Sequence, residues 1–346
     1  MPVEVDTEWR LEEHRRIVEW ARSCSLHYIL GSGLPPTRSL QIRVAFREDL
    51  TDYFRLAAAA RGRRTDPALR REAHSLLFAT RARLERAIEA EALRAADPVG
   101  LALDAWFYGC SKKQGVSLRM PLASCRPTVL CAGACYAHDA LDAAYAPVVR
   151  GALNGLVART FEEGGDSVRR SVLDRLRPHT ARAVRQALLE VRRLEGTGWT
   201  RRPNIRFSHV GEVVAFPAFA DALARQVRDL SDGGVDCVVY TRHPNAGLLD
   251  PDLWVMNFTL DPSSPVRRAW APPHARLVFA AFGGELSPET DVNFLEHHRH
   301  VHLPPQGLGR VCPATAPGVP ERTCDALRCN RCFVRVRPSA ETAKRH

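Results

Sequence analysis

Cys125, Cys131 and Cys135 fall within eleven residues of one another, and Cys312, Cys324, Cys329 and Cys332 form a second group near the other end of the chain. Thiolates spaced this closely are the soft ligands of zinc and of iron–sulfur clusters. The first group reads Cys125-x5-Cys131-x3-Cys135 and leaves a fourth ligand to Cys110, His138 or a distant cysteine. Structural zinc sites use closely spaced pairs and four ligands in all, so the sharper alternative is a [4Fe-4S] cluster with one iron open to a small molecule. The second group, Cys312-x11-Cys324-x4-Cys329-x2-Cys332, is self-sufficient. It fits structural zinc or a further cluster, and its Pro-rich surroundings offer little core besides a metal staple. Spacing leaves iron and zinc both open.

Further polar residues fall where a parallel α/β fold gathers function, at the C-terminal ends of strands. These are Arg206, Ser208, His209, Gly211 and Glu212 after a first strand, and Tyr240, Thr241, Arg242 and His243 after a second. Asn257 and Asp261 follow on a third, and Gly283, Gly284 and Glu285 after a fourth. As a set they read as the lining of one pocket. His297, His298, His300 and His302 read as a solvated histidine-rich loop, and no HExxH-like or paired-carboxylate pattern supports a metal hydrolase.

The elements that must position these groups are of two kinds. Residues 1–100 read as a helical, Arg-rich module, with an amphipathic stretch around Trp9, Leu11, Ile17, Val18 and Trp20 and a break from Gly31 to Pro36. A helix opens at Asp66-Pro67, turns Leu69, Ala73, Leu76, Leu77, Leu84 and Ile88 to one side, and stops before Asp97-Pro98. Residues 101–135 read as loop, followed by helices from Tyr136 to Glu163, interrupted at Pro147, and from Pro178 to Glu195. Beyond residue 203, apolar strands at Asn204–Val210, Asp236–Thr241, Leu253–Leu260 and Arg276–Phe282, with a helix from Pro217 to Leu230, predict β-α-β units. The expected fold class is α/β: a parallel β/α barrel-like core, a partial or full TIM-type barrel, over residues 101–305. It carries a helical N-terminal extension, a Cys-rich metal-binding segment at 306–338 and a disordered tail at 339–346.

Composition narrows the function classes. The net charge of +10 invites a nucleic-acid partner. The basic residues are nearly all Arg, with Lys112, Lys113 and Lys344 the exceptions, and the chain is rich in Ala, Gly and Pro. That bias is the mark of a GC-rich genome, and part of the charge is mutational in origin. No apolar run reaches the roughly 18 residues of a membrane span, and Met1–Asp6 lacks the basic and apolar regions of a secretory leader. The expected location is the cytoplasm, without a membrane partner, where ten cysteines do not make a disulfide framework. Cys24 and Cys237 read as small buried residues.

An ordered series runs through the chain: Ser111-Lys112-Lys113 to Met120-Pro121, then Cys131-Ala-Gly-Ala-Cys135-Tyr136-Ala137, then Arg206-x2-His209-x-Gly211-Glu212, then Tyr240-Thr241-Arg242. It closes on Val311-Cys312-Pro313 with Cys324, Cys329 and Cys332. Over residues 105–335 this series resembles the phage gene product 88 family, and its Cys-Tyr-Ala ending is similar to phage proteins regarded as atypical radical S-adenosylmethionine enzymes. The resemblance implies a [4Fe-4S] cluster on Cys125, Cys131 and Cys135, and S-adenosylmethionine chelated by an open iron and cleaved reductively to a hydrogen-abstracting radical. It also implies an electron donor. Arg206, His209, Glu212, Tyr240 and Arg242 are the expected cofactor or substrate contacts, and Lys112 and Lys113 would meet phosphate or carboxylate of a small-molecule, nucleotide or nucleic-acid substrate. The chain departs from the CxxxCxxC spacing of radical enzymes, with five and then three intervening residues. The alternative is a zinc-stabilised nucleic-acid-binding protein, both cysteine groups structural and the Arg-rich helices on phosphates.

Overall fold

The computed structural model describes residues 45–62, 67–103, 107–111, 115–133, 135–138, 145–195, 202–208, 210–263, 265–281, 286–287, 290–295, 312 and 332. Helix α1 spans Arg47–Gly62, α2 Pro67–Ala92 and α3 Pro98–Leu103. Two short strands, β1 (Tyr108–Ser111) and β2 (Gly115–Leu118), form an antiparallel hairpin within the stretch expected to be loop. At four residues each, with glycine in both, they carry too little alternation to show in the sequence.

A five-residue helix α4 (Val129–Gly133) then precedes two long ones, α5 (Tyr145–Glu163) and α6 (Asp166–Glu195). The expected start of α6 at Pro178 is corrected: the helix runs through that proline. Val172, Leu176, Thr180, Ala183, Val184 and Ala187 keep one buried stripe on both sides of it, and Pro178 lies on the exposed side. The stripe offsets the missing main-chain hydrogen bond, which costs about 3 kcal/mol in a helix interior.

The remaining strands are β3 (Asn204–Phe207), β4 (Asp236–Thr241), β5 (Trp254–Leu260), β6 (Arg276–Ala281) and β7 (Val292–Leu295), with α7 (Pro217–Leu230) between β3 and β4. Pro217 sits in the first turn of α7, and Phe219, Ala220, Leu223, Ala224 and Val227 form its buried stripe. β3 is shorter than the expected Asn204–Val210, because Ser208 (φ 62°) and Gly211 (φ 74°) turn the chain in the left-handed region.

The seven strands lie side by side in chain order, antiparallel between β1 and β2 and parallel from β2 to β7. The register aligns Arg206 with Val238, Val238 with Val255, and Tyr240 with Asn257. With crossovers of one hand, that order puts the connecting helices α5, α6 and α7 on one face of the sheet. Residues of α5, α6, α7 and the 3-10 segment after β4 accordingly share one core with Ile205, Phe207, Val239, Met256 and Phe258. Leu50, Tyr53, Phe54, Leu77, Leu84 and Ile88 of α1 and α2 join the same core. The opposite face carries Val238, Val255 and Tyr240, and then Val278, Val292 and Phe294 with Cys312 against them. Among the described residues, no helix is long and apolar enough to cross a membrane.

Candidate metal centre

The first cysteine group lies in the connection after β2, and the ends of three neighbouring strands hold that connection in place. Met120 donates its N–H to the Val210 carbonyl at 2.7 Å, which starts the loop against the chain leaving β3. A 3-10 turn, Leu122–Ser124, precedes Cys125. Ser124 Oγ donates to the Pro121 carbonyl at 2.7 Å and accepts the Glu212 N–H at 2.8 Å. Gly211 is required at this crossing. Its φ of 74° suits glycine, and a Cβ there would overlap the Met120 and Pro121 carbonyl oxygens.

Thr128 is the N-cap of α4: its hydroxyl accepts the Cys131 N–H at 3.0 Å and donates to Asp261 Oδ2 at 2.6 Å. Asp261, at the end of β5, also takes Arg242 Nη1 at 2.7 Å, so Thr128, Arg242 and Asp261 form one buried cluster. Glu212 is bound to the end of β4, where Thr241 Oγ1 donates to its Oε2 at 2.6 Å and the Arg242 N–H reaches its Oε1 at 3.4 Å.

Helices α1 and α2 hold the other side of the loop. The Glu85 carboxylate accepts the N–H groups of Leu122 and Ala123, and Arg81 Nη1 donates to the Ala137 carbonyl at 2.6 Å. Tyr53 Oη and His138 Nδ1 are 2.7 Å apart. Burial pushes the Tyr53 hydroxyl up to about 12, so it keeps its proton. An apolar lining of Leu122, Ala137 and Val210, with Phe78, packs against Cys125 and Cys135.

All three cysteines are free thiols, and they feel one another. Burial pushes Cys125 well above the usual thiol range, and the charges of Glu212, Cys135, Cys131 and Glu85 add to it. Burial and Cys131 raise Cys135 to about 12 against the Ala137 N–H, Arg81 and Arg242, which pull it down. Desolvation opposes the charge of Arg242, but Cys131, Asp261, Glu212 and Cys125 hold its pKa above the ordinary value. Were the thiols ionised, they and the carboxylates of Glu85, Glu212 and Asp261 would outnumber Arg81 and Arg242. The donor set therefore fits a cationic, thiophilic occupant. Among the described residues, no three His, Cys, Asp or Glu side chains are placed as they stand to hold a single metal ion. A [4Fe-4S] cluster binds each thiolate through a different iron and does not ask the sulfurs to converge on one point.

Of the expected site residues, Cys125, Cys131, Cys135, Glu212 and Arg242 come together here. Arg206 and Tyr240 stand together on the face of the sheet turned away from the helices, the Arg206 guanidinium 4.8 Å from the Tyr240 ring centroid. Cys312 and Cys332 are buried, Cys312 giving its N–H to the Asn293 carbonyl beside β7 at 2.8 Å and Cys332 accepting Asn257 Nδ2 on its carbonyl at 3.0 Å. Lys112, Lys113, His209, Cys324, Cys329, the histidines from His297 to His302 and the Cys110 side chain lie outside the described residues. Sequence reasoning missed Tyr53, Arg81, Glu85 and Thr128. A signal existed for two of them, since Arg81 and Glu85 fall at helical spacing between Leu77, Leu84 and Ile88, on the buried side of α2.

In comparisons with known proteins, no family model, no curated protein and no solved structure matches this chain.

Proposed function

We propose that this chain is an iron–sulfur protein of the phage gene product 88 type that acts as a radical S-adenosylmethionine-like enzyme, its sheet forming part of a β/α barrel. The observation that carries the reading is the placement of Cys125, Cys131 and Cys135 in the connection after the first parallel strand, held at the strand ends beside Glu212, Arg242 and Asp261. Held by the three thiolates, a [4Fe-4S] cluster would supply an open iron and the electron for reductive cleavage of S-adenosylmethionine.

The chain's own residues would do the rest. Arg81 and Arg242 offset the charge of the thiolates, as their effect on Cys135 indicates. Glu212, fixed by Thr241, would accept from an ammonium or a ribose hydroxyl, since a carboxylate accepts up to about four hydrogen bonds. Arg242, held by Asp261, presents further guanidinium N–H groups to a carboxylate. Leu122, Ala137 and Val210 exclude water behind the sulfurs. On the opposite face, Arg206 over Tyr240 would meet an anionic substrate, and the net charge of +10 favours a nucleotide or nucleic acid. Cys312, Cys324, Cys329 and Cys332 hold a second metal in this reading. The location is a reducing cytoplasm, where the thiols stay free.

Anaerobic purification followed by metal and sulfide analysis tests the proposal. The expected protein is brown and contains iron and sulfide. Colourless protein with stoichiometric zinc would instead support the structural, nucleic-acid-binding alternative. Release of 5′-deoxyadenosine and methionine from S-adenosylmethionine under reduction tests the enzyme reading separately.

A further inference from the structure

We propose that Arg81 and Glu85, a buried ion pair on helix α2, are the positioning residues that fix both ends of the cysteine loop. Arg81 Nε and Glu85 Oε1 are 2.8 Å apart, and both side chains are 0% exposed. Taking such a pair out of water costs several kcal/mol per ion, and an apolar pair of similar volume often serves stability as well. Core packing alone therefore does not account for it.

What the pair does beyond packing is visible in its other bonds. Glu85 binds the N–H groups of Leu122 and Ala123, just before Cys125. Arg81 binds the carbonyl of Ala137, just after Cys135. The loop between them contains only short helical turns, so its main chain depends on outside partners. One ion pair thus reaches both ends of the cysteine stretch. The pair belongs to the N-terminal module, for which the family resemblance offers no counterpart.

The positioning claim can be tested without metal. In the metal-free chain, the alkylation of Cys125, Cys131 and Cys135 by iodoacetamide is followed by peptide mass spectrometry. Cys237, a free thiol 2% exposed in the main core, reports global opening. In the Arg81→Met/Glu85→Met double variant the loop cysteines are expected to react at least about tenfold faster, the change that about 1.4 kcal/mol of lost anchoring gives, with Cys237 unchanged. Loop rates equal to wild type, or rates that rise only together with that of Cys237, would overturn the proposal. Should the double variant fail to fold, Glu85→Gln, which keeps an acceptor but removes the charge, is read in the same way.

Discussion

Thr128, inside the cysteine loop, gives its hydroxyl proton to Asp261 at the end of β5 across 2.6 Å, tying the connection after β2 to a strand three places along the sheet. Arg242 completes the cluster from the end of β4, its side chain 12% exposed and that of Asp261 fully buried. Removing Asp261 strands a buried guanidinium. Asp261→Ala is expected to cost about 3–5 kcal/mol in urea unfolding, and Thr128→Val, which loses a cap and one hydrogen bond, about 1–2 kcal/mol. Equal losses in the two variants would count against the ion pair as the dominant contribution.

Gly211 and Gly233 separate backbone strain from close approach. Both have positive φ, 74° and 71°, but a Cβ at Gly233 meets nothing within 4 Å, whereas at Gly211 it meets the Met120 and Pro121 carbonyls. Gly233→Ala should cost about 1–2 kcal/mol, the left-handed penalty alone. Gly211→Ala should cost at least about twice that, since the loop must also move. Denaturant unfolding of the two variants checks the order.

How far the sequence disclosed this arrangement depended on the range of the interactions involved. The helix over Pro217–Leu230 and the strands β4, β5 and β6 were legible, since each carries its own periodicity and its own turn residues. The strand-end rule also brought Glu212, Arg242 and Asp261 into view as a set. The hairpin β1–β2 and strand β7 were not legible, since four residues each are too few to show alternation. The inward turn of Arg81 and Glu85 could not be read as a loop anchor, because their partners Ala137 and Leu122 are far along the sequence. The reading of residues 1–100 as an Arg-rich module looked to arginine as surface charge; at Arg81 it is core.

His274 makes stability depend on pH. Burial holds its imidazole below the ordinary 6.5, against a smaller opposing effect of Asp252. Among the described residues its Nε2 is buried without a hydrogen-bond partner. The unfolded chain therefore takes up the proton first, and stability present above the unfolded value is lost as the pH falls below about 6.5 towards the lowered folded pKa. In thermal melts at pH values from about 7 down to about 5, His274→Gln should show a shallower decline than wild type. Parallel declines would show that another group governs the slope.

Glu212→Gln separates binding from fold. The amide keeps an acceptor for Thr241 and drops the charge, so stability should change by no more than about 1 kcal/mol. Under the proposed function, S-adenosylmethionine affinity measured anaerobically by calorimetry should fall at least about tenfold, as expected for a charge-assisted hydrogen bond. An unchanged affinity would remove Glu212 from the binding site.

Iron and acid-labile sulfide counted per chain in anaerobically purified wild type and Cys131→Ala test whether Cys125, Cys131 and Cys135 hold an iron–sulfur cluster of their own. Both iron and acid-labile sulfide are expected in the wild type, with loss of one cluster's worth in the variant and any iron on the Cys312–Cys332 group remaining. Wild-type protein that carries zinc in place of iron, or a Cys131→Ala variant that keeps the full iron content, would contradict it.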